Sequence, residues 1–301
     1  MLQRTIKKLF TITGIGLHSG ERVKVTLKPL SCDQGILFRR IDLGFPLNQA
    51  IRLSPYLIND TRLSSTIVTQ QGVRIGTIEH LMSAFCALGV DNVLVELNAP
   101  EIPIMDGSSL PFIMAMQEAG IVEQLEEKRF LRVKKKIRLE MDDKWVELFP
   151  YEGFKIGLQI HFNHAMFKES NKFFEVDFAK TSYIEAIAKA RTFGFMNEIE
   201  FMRSQNLGLG GNLNNAIVVG DYNILNKEGL RYPNEFVRHK ILDAIGDLYT
   251  LTHPIITHFK GYKSGHALNN KLIRKLLEEK NNYEWVSFPN DRHLPNSFHY
   301  L

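Results

Sequence analysis

The irregular succession of strand-like and helix-like segments constrains the fold of this chain more than any other feature of its sequence. Residues 22–28 and 154–162 alternate apolar and polar side chains, with the two-residue period of a half-buried strand. Residues 77–89 and 234–250 instead repeat apolar side chains at helical spacing. A parallel doubly wound sheet requires strands and helices to alternate regularly, so this pattern predicts an α+β fold.

Capping residues predict where several helices begin and end. Thr77 is placed to cap the first long helix, which Gly89 would terminate in a left-handed conformation. Ser182 opens a capping box at the start of a helix that is predicted to run towards Thr192. Asn234 is predicted to cap a long helix that continues through residue 250.

A charged stretch, residues 124–136, separates two regions that each have clear strand and helix periodicity. A chain of 301 residues is long enough for two domains of ordinary size. The sequence therefore predicts a first α+β domain over residues 1–125 and a second α+β domain over residues 126–301.

The composition excludes several classes of protein. Lysine and arginine number 37 and aspartate and glutamate 33, so the net charge of +4 supports neither a nucleic-acid footprint nor a polybasic membrane anchor. No apolar run reaches the roughly 18 residues that span a bilayer, and we expect residue 1 to begin the mature chain. Cys32 and Cys86 fit a reducing compartment and offer no cysteine pair at zinc-site spacing. Any metal is therefore expected to be held by histidine, aspartate or glutamate.

Residues 236–247 place three ionisable side chains, His239, Asp243 and Asp247, at intervals of four residues. Residues four apart are neighbours on a helix, so His239 and Asp243 could hold one cation between them. A solvated polar face of the helix would produce the same spacing. This segment alone leaves both interpretations open.

Glu79 and His80 form a second ionisable pair, in the first turn of a predicted helix. Acidic residues often occupy a first turn because they complement the helix dipole, so the pair alone indicates little. With His239 and Asp243, however, His80 completes three protein ligands with one coordination position open to water, the pattern of a catalytic zinc site. Glu79 would then be placed to take a proton from that water.

Two further segments contain candidates for proton transfer and for stabilising an oxyanion. His266 lies in a glycine-containing loop before a helix, where it could act as a general acid with Asp247 as its carboxylate partner. An ordinary surface histidine would fit the same loop. Thr192 could donate a hydrogen bond to a developing oxyanion, and a helix end packed with phenylalanines is the alternative.

Together these segments closely resemble the UDP-3-O-acyl-N-acetylglucosamine deacetylases, the zinc amidases of lipid A synthesis in Gram-negative bacteria. The matching segments are 13–20 (TGIGLHSG), 77–80 (TIEH), 98–108 (NAPEIPIMDGS), 190–196 (ARTFGFM), 236–240 (FVRHK) with 242–247 (LDAIGD), and 262–271 (YKSGHALNNK). The resemblance is specific because these segments occur in order over nearly the whole chain.

The resemblance implies a role for each residue that matches a family motif. The implied zinc ligands are His80, His239 and Asp243. The implied catalytic groups are the general base Glu79, the catalytic histidine His266, its orienting partner Asp247 and the oxyanion donor Thr192. The implied substrate contacts are Lys240, Phe162, Lys263 and the acyl-passage residues Phe193, Phe195, Met196, Ile199 and Leu213. One zinc ion is the implied cofactor, and iron or cobalt would also be accepted by this ligand set.

The family fold implied by the resemblance is two similar domains, each a layer of helices on a small mixed or antiparallel sheet. The domains pack as a sandwich with the zinc between them, and an insert in the second half forms an apolar passage for the acyl chain. The chain departs from several family members at Ser64, where they carry a cysteine near the metal. His161 replaces an acidic residue that some members carry beside the nucleotide.

The implied reaction removes the N-acetyl group from UDP-3-O-[(3R)-3-hydroxyacyl]-N-acetylglucosamine, which gives acetate and UDP-3-O-acyl-glucosamine in the committed step of lipid A biosynthesis. One alternative is a zinc amidohydrolase that acts on a different acylated amino sugar. Another is a non-catalytic module that binds a sugar nucleotide and holds a structural metal. We expect a cytoplasmic monomer whose only partner is a small-molecule substrate, without nucleic acid.

Overall fold

The computed structural model describes residues 1–164, 167 and 172–299 of the chain. The strands of the first half are β1 (Leu2–Ile6), β2 (Phe10–Ile15), β3 (Arg22–Pro29), β4 (Ile36–Arg40), β5 (Ile51–Arg52), β6 (Ile58–Asp60), β7 (Thr66–Val68), β8 (Arg74–Ile75), β9 (Val93–Leu97) and β10 (Ile121–Glu127). The helices of this half are α1 (Glu79–Leu88) and α2 (Leu110–Ala119).

The second half repeats the mixture of strands and helices. The described strands are β11 (Phe130–Val133), β12 (Ile137–Met141), β13 (Lys144–Phe149), β14 (Phe154–Gln159), β15 (Phe173–Asp177), β16 (Phe193–Phe195), β17 (Ile217–Val219), β18 (Ile255–Tyr262) and β19 (Tyr283–Val286). The described helices are α3 (Tyr183–Ala186), α4 (Met196–Ser204), α5 (Glu235–Leu248) and α6 (His266–Glu278). Both halves mix the two element types without regular alternation, so the predicted α+β class is confirmed.

The main sheet of the first half has the strand order β2-β3-β9-β4-β5. Strand β3 runs antiparallel to β2 and β9, whereas β4 runs parallel to β9. Val23, Val25 and Leu27 of β3 are buried in the core, and the residues between them are more exposed. The alternation in the sequence therefore predicted this half-buried strand correctly.

Strand β18 organises the larger sheet of the second half. It runs antiparallel to β13 and parallel to both β11 and β14. Phe154, Ile156 and Leu158 of β14 are buried, as the alternating pattern predicted, although the strand ends at Gln159. The chain passes from β10, paired with β1, to β11 in this sheet within a few residues. The domain division after residue 125 stays a prediction.

The predicted helix ends are partly confirmed. Gly89 terminates α1 in the left-handed conformation, and the side chain of Ser182 accepts a hydrogen bond from the backbone of Glu185. The prediction that Thr77 caps α1 is wrong, because Thr77 has a φ of 54° and donates its hydroxyl to Glu101 instead.

Two other predictions about helices are also wrong. The helix that Ser182 opens ends at Ala186 and does not run towards residue 192, because the next residue, Ile187, leaves the helical conformation with a φ of −131°. Asn234 precedes α5 but does not cap it, since its side-chain oxygen accepts a hydrogen bond from Arg238 at 2.6 Å.

A close approach between α1 and α5 joins the two halves. A Cβ atom at Gly246 of α5 would lie 2.0 Å from the carbonyl oxygen of Glu79, so a side chain at this position would force the helices apart. The approach brings the ionisable first turn of α1 against the ionisable residues of α5. Within the part of the chain that the structure describes, no helix combines the length and apolar character needed to cross a bilayer.

A buried ion pair holds the segment between β10 and β11 against the first half. The ammonium group of Lys128 lies 3.0 Å from a carboxylate oxygen of Asp91 and donates a hydrogen bond to the carbonyl oxygen of Gly89 at 2.7 Å. Both side chains are almost fully buried. Removing one charge therefore leaves the other buried without a partner.

We expect Lys128→Met to lower the free energy of unfolding by about 3–5 kcal/mol, because it leaves the Asp91 carboxylate unpaired in the interior. Urea unfolding followed by circular dichroism measures this change. The matched control is Lys135→Met at an exposed position, where we expect a change within about 0.5 kcal/mol. Equal stability of the two variants would contradict the role assigned to the pair.

Candidate active site

The α5 residues that the sequence analysis selected lie inside the protein. His239, Asp243 and Asp247 are 2%, 4% and 1% exposed. The alternative interpretation, a solvated polar face of the helix, therefore does not apply. Three ionisable groups on one buried helix face need partners from elsewhere in the fold, since an unpaired buried charge is costly.

The first turn of α1 supplies those partners. Glu79 and His80 are its first two residues and are each 3% exposed. Nε2 of His80 lies 3.4 Å from Oδ1 of Asp243, and Nε2 of His239 lies 3.3 Å from the same oxygen. The two imidazole rings meet edge to face with centroids 5.0 Å apart. Residues from both halves of the chain thus converge on one point.

The protonation of His239 shows what these three groups can hold. Nδ1 of His239 lies 3.0 Å from the carbonyl oxygen of Ala190, which can only accept, so Nδ1 carries the proton. Burial lowers the pKa of His239 to about 3, which keeps the imidazole neutral. Its Nε2 lone pair therefore faces the oxygen of Asp243.

Asp243 itself is ionised. Burial alone would raise its pKa, but the charge of the adjacent Lys240 ammonium helps to hold the pKa well below its usual value. Lys240 donates to the other carboxylate oxygen at 2.7 Å. A nitrogen lone pair and a carboxylate oxygen only 3.3 Å apart repel each other unless a cation lies between them.

The donor set therefore fits a divalent metal ion. His80, His239 and Asp243 offer ligand atoms that all lie within 4.8 Å of one another. Nδ1 of His80 is buried without a hydrogen-bond partner among the described residues, so no hydrogen bond at this nitrogen holds the ring away from a bound metal ion. Two imidazoles and one carboxylate are a common ligand set for zinc, and iron and cobalt accept the same donors.

Glu79 and His266 lie beside this trio and face each other. Oε1 of Glu79 is 3.8 Å from Nε2 of His266, and Oε2 accepts a hydrogen bond from the backbone N–H of Ser65 at 3.0 Å. Burial raises the pKa of Glu79 above its ordinary value, against the opposing influence of His266 and His80. Glu79 is therefore a stronger base than an exposed glutamate.

His266, the first residue of α6, is oriented by Asp247. Its Nδ1 lies 3.0 Å and 3.1 Å from the two carboxylate oxygens. Burial would lower the pKa of His266, but the charges of Asp247 and Glu79 outweigh burial and raise this pKa to about 9. His266 therefore carries a proton at neutral pH, as a general acid must. His266 is buried, so the alternative interpretation, an ordinary surface-loop histidine, does not apply.

Ser65 and Asn269 are site residues that the sequence analysis missed. The hydroxyl of Ser65 donates to Asp247 at 2.6 Å, and the side-chain amide of Asn269 donates to the other Asp247 oxygen at 2.8 Å. Asn269 falls in a segment that matches the family, which was a usable signal. Ser65 lies in a short segment without periodicity, so nothing local marked it.

A cavity of about 720 Å³ opens above these groups. The predicted site residues that line it are Glu79, His80, Phe162, Thr192, Phe193, Phe195, Ile199, His239, Lys240, Asp243, Lys263 and His266. Two predicted acyl-passage residues, Met196 and Leu213, are not brought to this cavity and are 53% and 45% exposed. Asp247 lies behind His266, where it contacts the imidazole and not the cavity.

One wall of the cavity is aromatic. The ring of Phe162 lies 5.6 Å from that of Phe193 and 5.3 Å from that of Phe195. Ile199 and Met202 of α4 continue the apolar surface. This wall offers an apolar chain a place to bind close to the polar groups.

Basic groups occupy another part of the cavity lining. Lys263 forms an ion pair with Asp143, which raises the pKa of this lysine. Lys144 and Lys240 line the same cavity.

Ser64, the first departure from the family pattern, is buried with its hydroxyl 3.4 Å from that of Thr66. His161, the second departure, also lines the cavity.

A buried set of metal-binding donors next to a basic carboxylate and a protonated histidine defines the class of metal-dependent hydrolases. Comparison with known proteins identifies the family. Residues 3–278 match the family described as UDP-3-O-acyl N-acetylglycosamine deacetylase. The chain therefore belongs to the UDP-3-O-acyl-N-acetylglucosamine deacetylase family, and the expected family membership is confirmed.

Several relatives are similar over their full length. The chain is 62% identical to the UDP-3-O-acyl-N-acetylglucosamine deacetylase of Neisseria gonorrhoeae over 301 residues, which cover 100% of this chain and 98% of the relative. It is 61% identical to the deacetylase of Neisseria meningitidis serogroup A and 57% identical to that of Chromobacterium violaceum, with the same coverage.

Proposed function

We propose that the chain hydrolyses the acetamide of UDP-3-O-[(3R)-3-hydroxyacyl]-N-acetylglucosamine and releases acetate. The observation that carries the proposal is the arrangement of Glu79 and His266, which face each other 3.8 Å apart beside three potential metal ligands in a cavity of about 720 Å³. Amide hydrolysis needs a base on one side of the scissile bond and an acid on the other. The full-length similarity to proteins named as deacetylases favours this substrate over another acylated amino sugar or a non-catalytic module.

His80, His239 and Asp243 would hold the metal ion, with zinc as the proposed occupant. A bound metal cation supplies the electrophilic activation that the reaction needs, by polarising the acetamide carbonyl and increasing the acidity of water. His239 is held in the tautomer that presents Nε2 as a ligand, because its Nδ1 donates to the carbonyl oxygen of Ala190.

Glu79 takes the proton from the attacking water. Its raised pKa makes it a better base than an exposed carboxylate, and the N–H of Ser65 keeps its second oxygen in place. Thr192 lines the cavity and is proposed to donate its hydroxyl to the oxyanion that forms on the carbonyl. Lys240, which donates a hydrogen bond to Asp243 and lines the same cavity, adds positive charge to it.

His266 then gives its proton to the departing amine. Asp247 fixes the ring and favours its charged form, so the proton is available at neutral pH. The aromatic wall of Phe162, Phe193 and Phe195 is proposed to take the acyl chain, together with Ile199. The lysine side of the cavity, with Lys263, is proposed to take the diphosphate.

The finer expectations about the cell are also proposals. Cys32 and Cys86 are both free thiols, which fits a reducing compartment and therefore a cytoplasmic enzyme. We propose a monomer whose partner is the acylated sugar nucleotide.

The test is acetate release from the acylated UDP-sugar by purified protein before chelation, after chelation, and with metal added back. We expect activity to disappear with the chelator and to return with about one equivalent of zinc, because three protein ligands hold a single catalytic ion.

Phe195→Asp should raise KM for the acylated substrate, since it places a charge in the aromatic wall. No acetate from metal-loaded protein, or no effect of Phe195→Asp, would favour hydrolysis of a different acylated sugar.

A further inference from the structure

A second buried ion pair, between Arg191 and Glu235, lies next to the site and has no role in the reaction steps. Arg191 is 2% exposed and Glu235 is fully buried. Nε of Arg191 donates to Oε1 of Glu235 at 2.9 Å, and Nη2 donates to Oε2 at 3.2 Å. The backbone N–H of Arg191 donates to Oε1 as well, at 3.0 Å. Glu235 therefore holds both the side chain and the backbone of one residue.

Stability alone does not explain this pair. Replacing a buried ion pair with uncharged side chains is often neutral or stabilising, because burying two charges costs about as much as their attraction returns. The pair must therefore be judged by what it positions. Glu235 is the first residue of α5, one turn before His239, and Arg191 lies between Ala190 and Thr192.

Both neighbours of Arg191 belong to the site. The carbonyl oxygen of Ala190 receives the Nδ1 proton of His239, and Thr192 lines the cavity as the proposed oxyanion donor. Glu235 accepts a hydrogen bond from the backbone N–H of Arg191, which lies between them. This hydrogen bond therefore sets the distance from residues 190–192 to the helix that carries His239.

The same network also reaches the backbone that holds Thr192. The N–H of Thr192 donates to the carbonyl oxygen of Gly107 at 2.8 Å. Asp106, the preceding residue, accepts a hydrogen bond from Arg231 at 2.8 Å, and the backbone N–H of Arg231 donates to Glu235. Glu235 is therefore linked to Thr192 by two routes.

We infer that Arg191 and Glu235 are positioning residues, which fix the Ala190 carbonyl that orients the metal ligand His239 and hold Thr192, the proposed oxyanion donor, in the cavity wall. The inference rests on the proposed function, because it assumes that His239 binds the metal. Groups that orient a metal ligand typically change metal affinity or activity by about 10–100-fold when they are removed.

The test uses the double variant Arg191→Met/Glu235→Gln in the full-length, metal-loaded protein. This variant removes both charges, so no unpaired charge is buried. Glu235 accepts from the backbone N–H groups of residues 191 and 231 with its two oxygens, whereas the single glutamine oxygen can accept from only one of them. We expect metal release to a chelator to become about 10–100-fold faster and kcat to fall by a similar factor, with KM changing much less. Arg191→Lys, which keeps one charged hydrogen bond to Glu235, should give intermediate values.

The matched control is Lys128→Met/Asp91→Asn, which removes the other buried ion pair. It should leave metal release and kcat unchanged, since that pair contacts no site residue. Equal metal release from the Arg191→Met/Glu235→Gln variant and the parent would overturn the inference. A parent protein that binds no metal at all would instead show that the proposed function has failed, so the two failures are distinguishable.

Discussion

Replacing Glu79 by glutamine is expected to lower kcat by about 10²–10⁴-fold while the protein keeps its metal, because a general base is lost and no ligand is removed. Glutamine has the shape of glutamate, and its oxygen can still accept the hydrogen bond from the N–H of Ser65. The side chain therefore stays in place but cannot take a proton from water. Steady-state acetate release and metal content of the purified variant measure the two effects.

The comparison variant is His239→Ala, which should lose both the metal and the activity. Its imidazole is a proposed ligand, and the lone pair of Nε2 points at Asp243 from 3.3 Å. Added zinc should therefore restore little activity to it. Loss of metal from Glu79→Gln would mean that Glu79 is itself a metal ligand, and its assignment as the general base would then be wrong.

The local part of this site could be predicted from the sequence because helix geometry brings residues four apart together. His239, Asp243 and Asp247 share one face of α5, as their spacing predicted. Placing Glu79 and His80 beside them needed either the family resemblance or the tertiary structure. The approach itself depends on Gly246, whose role shows only when the two helices are docked.

The residues that the sequence did not indicate act over long separations. Ser65 bonds to Asp247 across 182 positions of the chain, and Arg191 to Glu235 across 44. Glu235 resembles an ordinary acidic residue in a helix first turn, where the dipole favours negative charge. Thr77 was misassigned for a related reason, because its hydroxyl binds Glu101 of another segment and not its own helix. Local patterns carry no information about such partners.

The second large effect is expected at His266, whose replacement by glutamine should lower kcat by about 10²–10⁴-fold, because the amine then leaves without a proton donor. The pH dependence of the parent enzyme tests the same role. Asp247 and Glu79 raise the pKa of His266 to about 9, so activity that needs the protonated ring should fall as the pH rises through this pKa. A bound cation repels the charged ring, so we expect the descending limb of kcat/KM below pH 9.

The variant Asp247→Asn should move this limb to lower pH, because it removes the negative charge that favours the imidazolium form. Asn269→Ala is the matched comparison with the opposite sign. It removes the hydrogen bond that the Asn269 amide donates to the Asp247 carboxylate. The negative charge of Asp247 then interacts more strongly with the His266 imidazolium, which should raise the pKa of His266 and move the limb to higher pH. A limb that stays at the parent pH in both variants would assign the acid to a group other than His266. Opposite shifts would show that Asp247 sets the proton affinity of the general acid and does more than hold the ring.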